Sequence, residues 1–267
     1  MKEKEKYKFL LSLKLLEYEI KELIIYSEEC CVCFELLKNK LDDLCQFVIC
    51  EENLNQWELW GCHSEIKEHS EKLREVSVKA LCAMEKYQSI CTCNNELNLS
   101  DYINTLSNSV KRELDHFCID DTSKVLFIGS GAFPTSALTI AQEAGAKVVG
   151  LDIDNEAVEL AKKVTKFSGL ESKVKFSSES LYKLDFVKEA THIIIASLVR
   201  NKLEVLDSLR TNINMNAKII LRYGNGLKSA FNYPLEKDLS PDWIETKISQ
   251  SKNIYDTIML EKSRPLV

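Results

Sequence analysis

Residues 125–154 read VLFIGSGAFPTSALTIAQEAGAKVVGLDID, and this stretch decides the fold. The apolar run VLFI stops at Gly129-Ser130-Gly131, a helical pattern follows, and a second apolar run ends at Asp152. Strand, glycine turn, helix and strand in that order open a doubly wound α/β sheet. Glycines at such a turn let the backbone approach a ligand closely, and an acid closing the second strand accepts the hydroxyls of a ribose. The stretch announces a nucleotide.

Downstream, KVKFSS (173–178), THIIIAS (191–197) and AKIILRY (217–223) read as further buried strands, with helical segments such as NEAVELAKKVTKF (155–167) between them. After Pro241, WIETKISQ and NIYDTIMLEKS follow one another with no helix between, as in an antiparallel hairpin. The predicted fold class is α/β: a methyltransferase-type Rossmann domain over 119–267, its parallel sheet closed by a C-terminal antiparallel hairpin. Residues 1–118 have almost no glycine or proline and show helical apolar spacing, as at Leu10, Leu13, Leu16, Tyr18 and Ile20. They predict an N-terminal helical bundle.

Hydrophobic residues make up 45% of the chain, charged residues 28%, and the formal net charge is −6. That balance describes an ordinary soluble protein and argues against a nucleic-acid partner. The start, MKEKEKYKFLLSLKLLEYEIKELIIYS, reads as an amphipathic helix and not as a signal peptide, so a cytoplasmic protein with no membrane partner is expected. The charge runs at 2–6 and 64–75 read as solvated helix faces. All ten cysteines lie at or before Cys118. A zinc site drawn from Cys30, Cys31, Cys33, Cys91, Cys93 and His63 lacks the paired CxxC units of a zinc ribbon. Buried free thiols, with no metal, are predicted instead. His192 reads as a core histidine.

Asp152 stands 21 residues after Gly131, a spacing that suits either a dinucleotide or S-adenosylmethionine. The dinucleotide fingerprint asks for a small residue where this chain has Pro134, preceded by the bulky Phe133. Together with the terminal hairpin, this favours S-adenosylmethionine as co-substrate. The fourth strand ends in Ala-Ser-Leu-Val-Arg (196–200), without the tetrapeptide used by amide-nitrogen methyltransferases.

GSGAFP (129–134), GLDIDNEAVELA (150–161), THIIIAS (191–197) and above all RYGNGLKSAFNYP (222–234) resemble the nicotianamine synthase-like enzymes. Nearest are the bacterial histidine aminobutanoyltransferases of staphylopine-type metallophore synthesis. The resemblance implies transfer of the 3-amino-3-carboxypropyl (2-aminobutanoyl) group of S-adenosylmethionine to the amine of an amino acid, histidine first, with release of 5′-methylthioadenosine and no metal. It puts Glu85 at the family's catalytic glutamate and Tyr102 at its cofactor-facing tyrosine. Gly129, Ser130, Gly131, Phe133 and Pro134 form the cofactor loop, Asp152 binds the ribose, Ile153 or Ser178 flanks the adenine, and Ser197 borders the chamber. Arg222 and Asn225 are candidates for a substrate carboxylate. A homodimer is possible, and the product would pass to an opine-dehydrogenase-type enzyme. Two alternatives stand beside this reading: a small-molecule methyltransferase using the same co-substrate, and a non-catalytic metal or nucleotide sensor.

Overall fold

The structure is a computed structural model. It describes residues 2–94, 101–235, 239–248 and 253–263, without the side chains of 2 and 101–106. Tyr102 therefore has a backbone position in a helix, while its side chain lies outside the described residues.

Seven strands form one sheet in the order β3-β2-β1-β4-β5-β7-β6. β1 (Lys124–Ile128), β2 (Lys147–Leu151), β3 (Val174–Ser177), β4 (His192–Ile195) and β5 (Lys218–Tyr223) run parallel. β6 (Trp243–Ile248) and β7 (Asp256–Lys262) close the sheet as the antiparallel hairpin that the sequence predicts. Because strand side chains alternate, Val125 and Phe127 pack under the helices α6 (Thr135–Glu143) and α7 (Asn155–Phe167). Leu126 and Ile128 face the other way, toward α8 (Phe186–Glu189) and α9 (Lys202–Arg210). Burial on both faces explains why these strands read as continuous apolar runs.

The helices before the sheet are α1 (Lys2–Glu29), α2 (Cys33–Ile49), α3 (Glu51–Trp60), α4 (Ser64–Cys93) and α5 (Asp101–Phe117). Leu13, Ile20, Leu37, Leu44, Leu73 and Leu81 knit α1, α2 and α4 together. Leu227, Phe231, Ile254 and Tyr255, from the segments flanking the end of β5 and the start of β7, enter the same core. The helical layer is thus seated on the sheet and shares its core. Sequence spacing groups α5 with the first 118 residues, yet Val110, Leu114 and Phe117 pack in the core of the sheet beside α6 and α7.

Two readings need correction. Only Cys45 is buried; Cys30, Cys31, Cys50, Cys62, Cys82 and Cys118 are exposed, and Cys33, Cys91 and Cys93 lie between. Cys30, Cys31, Cys50, Cys62 and Cys118 lie in the turns that follow or join helices, outside their buried faces, and Cys82 lies on an outward face of α4. Tyr18, counted among the apolar positions of the first helix, is 61% exposed. His192 is a core residue: its Nδ1 lies 2.9 Å from Thr191 Oγ1 and its Nε2 3.2 Å from the Phe117 carbonyl. Burial lowers its pKa. No helix among the described residues is long and apolar enough to cross a membrane.

Candidate active site

The C-terminal edge of a parallel sheet, at the crevice where the strand order reverses, is where ligands bind in this architecture. Here the order reverses between β1 and β4, and the glycine loop leaves β1 at that point. Gly129 and Gly131 have φ of +80° and +68°, a left-handed conformation that disfavours any side chain. Space excludes one as well. A Cβ on Gly129 would lie 2.7 Å from Val199 Cγ2, and one on Gly131 would collide with Glu85 Oε2. Pro134 lies immediately before α6, consistent with its fixed φ and missing N–H.

The collision at Gly131 locates Glu85. α4 lies across the loop, and Ser89, one turn on from Glu85, donates to the Ala132 carbonyl at 2.8 Å. The Glu85 residue is only half-buried, but its carboxyl end is enclosed by the loop and hydrogen-bonded by the backbone N–H groups of Ala132 and Phe133. Burial, and then the negative charge of Asp152, push its pKa up to about 8; the two amides pull the other way. A surface glutamate paired with Lys86 or Lys79 is not what is found. Lys86 instead binds Asp154 at 2.8 Å and Glu156 at 2.6 Å, fastening α4 to the start of α7. Asp154 also caps that helix, accepting from the Glu156 N–H at 2.9 Å.

Asp152 faces the same loop. Its Oδ2 accepts from the Gly131 N–H at 2.8 Å and its Oδ1 from the Asp154 N–H at 3.1 Å. Beside it, Ile153 is fully exposed, an isolated apolar side chain at the ligand edge, and Ser178 at the end of β3 is exposed too. The Ser130 hydroxyl is buried and has no hydrogen-bond partner among the described residues. Two glycines that exclude side chains, an orphaned hydroxyl, an acid and a bare isoleucine all fit a nucleoside lying along the loop.

Ser197 is buried at the end of β4, where its carbonyl accepts from Lys202 Nζ at 2.8 Å and from the Tyr233 N–H at 3.1 Å. Lys202 is 2% exposed and also donates to the Val199 carbonyl at 2.6 Å. Burial lowers its pKa to about 7, with Arg74 adding to the effect. Val199 is the residue that presses on Gly129, so Lys202 buttresses the second wall of the loop. Sequence reasoning missed Lys202, Ser89 and Lys86. A lysine, a serine and another lysine in amphipathic helices carry no sign of which backbone they will meet.

Arg222 and Asn225 stand apart from this constellation. Arg222 is 2% exposed, and its fork is engaged by Glu113 of α5, with Nε and Nη2 at 3.2 and 2.5 Å from the two carboxylate oxygens. Nη1 donates to Ser136 Oγ at 3.1 Å, and the guanidinium lies over the rings of Phe127 and Tyr255. Asn225 bonds both backbone groups of Leu235, at 2.9 and 3.2 Å. The structure gives Arg222 a role in the core and Asn225 a role in holding its loop. The acid partner of Arg222, Glu113, lies 109 residues away and gave no sequence signal.

The nicotianamine synthase family model matches residues 39–264. This chain belongs to the nicotianamine synthase family. Within the family it is 39% identical over 252 residues to the L-histidine 2-aminobutanoyltransferase of Pseudomonas aeruginosa (strain UCBPP-PA14), covering 94% of this chain and 96% of that protein. It is 33% identical to the Yersinia pestis protein of the same name, covering 92% of each. Among solved structures, MtNAS in complex with MTA and tNA superposes with a TM-score of 0.81 at 15% identity, over 95% of this chain and 97% of that one. A glutamate-to-glutamine variant of MtNAS in complex with S-adenosylmethionine superposes with a TM-score of 0.75 at 15% identity, over 93% and 98%. The sheet order and the helical layer over it are therefore the fold of this family.

Proposed function

We propose that this member of the nicotianamine synthase family transfers the 2-aminobutanoyl group of S-adenosylmethionine to the α-amine of an amino acid, histidine first, and releases 5′-methylthioadenosine. Support comes from the family membership, the names of the relatives that align over nearly the whole chain, and the solved family member bound to S-adenosylmethionine. The observation that carries the chemistry is the Glu85 carboxyl, locked over Gly131 in a pocket that raises its pKa to about 8.

Asp152, the glycine loop and Ile153 hold the nucleoside, which sets the sulfonium beside Glu85. An amino acid reaches the site as an ammonium, and nitrogen attacks only once a proton is gone. Glu85, held by the Ala132 and Phe133 amides, takes that proton. A carboxyl with a pKa near the working pH suits this task. The amine nitrogen then forms its bond to the carbon next to sulfur, the carbon–sulfur bond breaks, and its electron pair stays on sulfur as the neutral thioether. Placement decides which of three electrophilic carbons reacts, because attack needs an in-line approach at about 3 Å. Tyr102 is proposed to orient the reacting groups from α5. The protein works in the cytoplasm without a metal, and its product passes to an opine-dehydrogenase-type enzyme.

Incubation with S-adenosylmethionine and a mixture of amino acids, followed by mass analysis, tests the assignment. Methylthioadenosine together with aminobutanoyl-histidine is expected. S-adenosylhomocysteine as the sole nucleoside product would establish methyl transfer and refute the proposal.

A further inference from the structure

The chain passes from α1 to α2 through Cys30-Cys31-Val32-Cys33, and a closed turn brings its two outer thiols together. The Cys33 N–H donates to the Cys30 carbonyl at 2.9 Å, and Val32 is helical, with φ −64° and ψ −27°. A turn closed in this way keeps its end Cα atoms within about 7 Å, a span that a disulfide bridges. The side chains meet as well, because the Cys33 thiol is hydrogen-bonded with that of Cys30. Burial, and then that bond, raise the Cys33 pKa. Cys30 is exposed and Cys33 half-buried, so the first thiol faces solvent and the second lies against it.

Cys33 is also the first residue of α2, and its neighbour reaches toward the reaction site. The Phe34 ring stacks on Tyr87 of α4, with centroids 4.1 Å apart and planes 8° from parallel. Tyr87 stands between Glu85 and Ser89, whose hydroxyl holds the Ala132 carbonyl at 2.8 Å. A disulfide draws two sulfurs from hydrogen-bond contact to about 2.05 Å. Cys33 takes up part of that movement, and Phe34 moves with it. Close packing transmits such a shift to Tyr87, and a displacement of about 1 Å at a reaction site can cost about a hundredfold in rate.

We propose that Cys30 and Cys33 form a redox-modification site, a dithiol that a small-molecule disulfide closes and whose closure slows turnover by shifting Phe34 against Tyr87. The Cys30 thiolate attacks one sulfur of oxidised glutathione, and the first glutathione leaves. The Cys33 sulfur, its proton lost to solvent, then attacks the Cys30 sulfur of the mixed disulfide, and the second glutathione leaves. Two protein thiols are oxidised, one glutathione disulfide is reduced to two thiols, and the protons from the cysteines end on glutathione. Exposed disulfides of this kind are the labile, regulatory ones. The site stands on the geometry of the turn, whereas its effect on turnover rests on the reaction proposed above.

Full-length protein equilibrated with millimolar oxidised glutathione, alkylated and mapped by peptide mass, is expected to carry a Cys30–Cys33 disulfide while Cys31 still alkylates. Reduced glutathione should reopen it. Cys33→Ser should stop at the mixed disulfide, one glutathione heavier at Cys30. Turnover of S-adenosylmethionine and histidine should fall by at least about threefold on oxidation and recover on reduction. Cys30→Ser should keep parental turnover and ignore oxidised glutathione, and Cys31→Ser should respond as the parent does. Near-ultraviolet circular dichroism, which senses the Phe34–Tyr87 stack, should change on oxidation of the parent and not of Cys30→Ser. That reading needs no substrate, so it decides the site even if neither form turns over and the assigned reaction fails. Free thiols at Cys30 and Cys33 after oxidation overturn the proposal. So does a disulfide joining other cysteines, an unchanged spectrum, or an oxidised enzyme as fast as the reduced one.

Discussion

Glu85 and Glu113 are both glutamates on long helices whose carboxylates are enclosed, and their electrostatic settings are opposite. Glu113 faces the Arg222 fork under α5 and α6, with Thr257 Oγ1 at 3.4 Å from the same carboxylate. A buried charge in that setting has its counter-charge and hydrogen bonds beside it. Glu85 has two backbone amides and, nearby, the negative charge of Asp152. It is stabilised enough to exist as a carboxylate but not enough to stay one at neutral pH. The paired glutamate locks two elements together, and the other has a pKa of about 8, at which a proton can be taken up or released near neutral pH. Helix propensity and burial do not separate them; the sign of the nearest charge does.

The largest effect expected from breaking this contrast is on turnover. Glu85→Gln keeps the size of the side chain and removes its basicity, so the rate with S-adenosylmethionine and histidine should fall by about 10²–10⁴-fold. The fold should persist, as circular dichroism would verify. Raising the pH should restore part of the rate, because more of the acceptor amine is then already neutral. A rate within a few-fold of the parent would move the base elsewhere.

Arg222→Met attacks the other glutamate. It strands the Glu113 charge in the core, a change worth roughly 3–5 kcal/mol, and denaturant melts should show a loss of that order. The KM for the amino acid should stay within about two-fold, in line with random scatter well below the tenfold that 1.4 kcal/mol represents. A large rise in KM with stability intact would return Arg222 to the substrate site.

The smallest effect is a pH dependence that sharpens the comparison. Glu85 is mostly protonated at pH 7 when its pKa is about 8. A bound sulfonium favours the carboxylate, so binding S-adenosylmethionine should release a proton. Affinity should rise with pH to about 8 and then level, gaining at most about tenfold per unit, as calorimetry in buffers of differing ionisation enthalpy would reveal. Glu85→Gln should flatten the profile. The same raised pKa sets the sign for stability. Folded Glu85 holds its proton where the unfolded chain has lost it, so it costs stability as pH rises from about 4.5 to 8 and nothing below that window. The glutamine variant should accordingly melt a few degrees higher at pH 8 and no higher at pH 4.

Most of the fold was legible in the sequence because buried parallel strands advertise themselves as β-branched runs. VLFI, KVVGLD and AKIILRY coincide with β1, β2 and β5 to within a residue or so. NEAVELAKKVTKF is α7 from its first residue to its last. The glycine loop and Asp152 were legible for a related reason: left-handed backbone and an acid after β2 constrain residue type at fixed spacing. Arg222 was harder, since an arginine suited to a carboxylate does not say whose carboxylate it meets. The cysteines misled because five of them, Cys30, Cys31, Cys50, Cys62 and Cys118, fall in turns just beyond helix ends, and apolar spacing does not say where a helix stops.

Local chemistry and periodicity by themselves determined the strand order's raw material, the glycine loop after β1, the closing hairpin and the helical character of the first half. These depend on residues near one another in the chain. Tertiary structure alone decided that α4 lies across the loop with Glu85 on Gly131, that Lys202 props Val199 against Gly129, and that Glu113 neutralises Arg222. Each joins groups from separate elements, and the energy of a charge depends on which dipoles and counter-charges surround it. No periodicity in the chain encodes that, so the pKa of a glutamate, and with it the difference between a carboxyl that titrates near neutral pH and a strut, emerges only when the helices are set on the sheet.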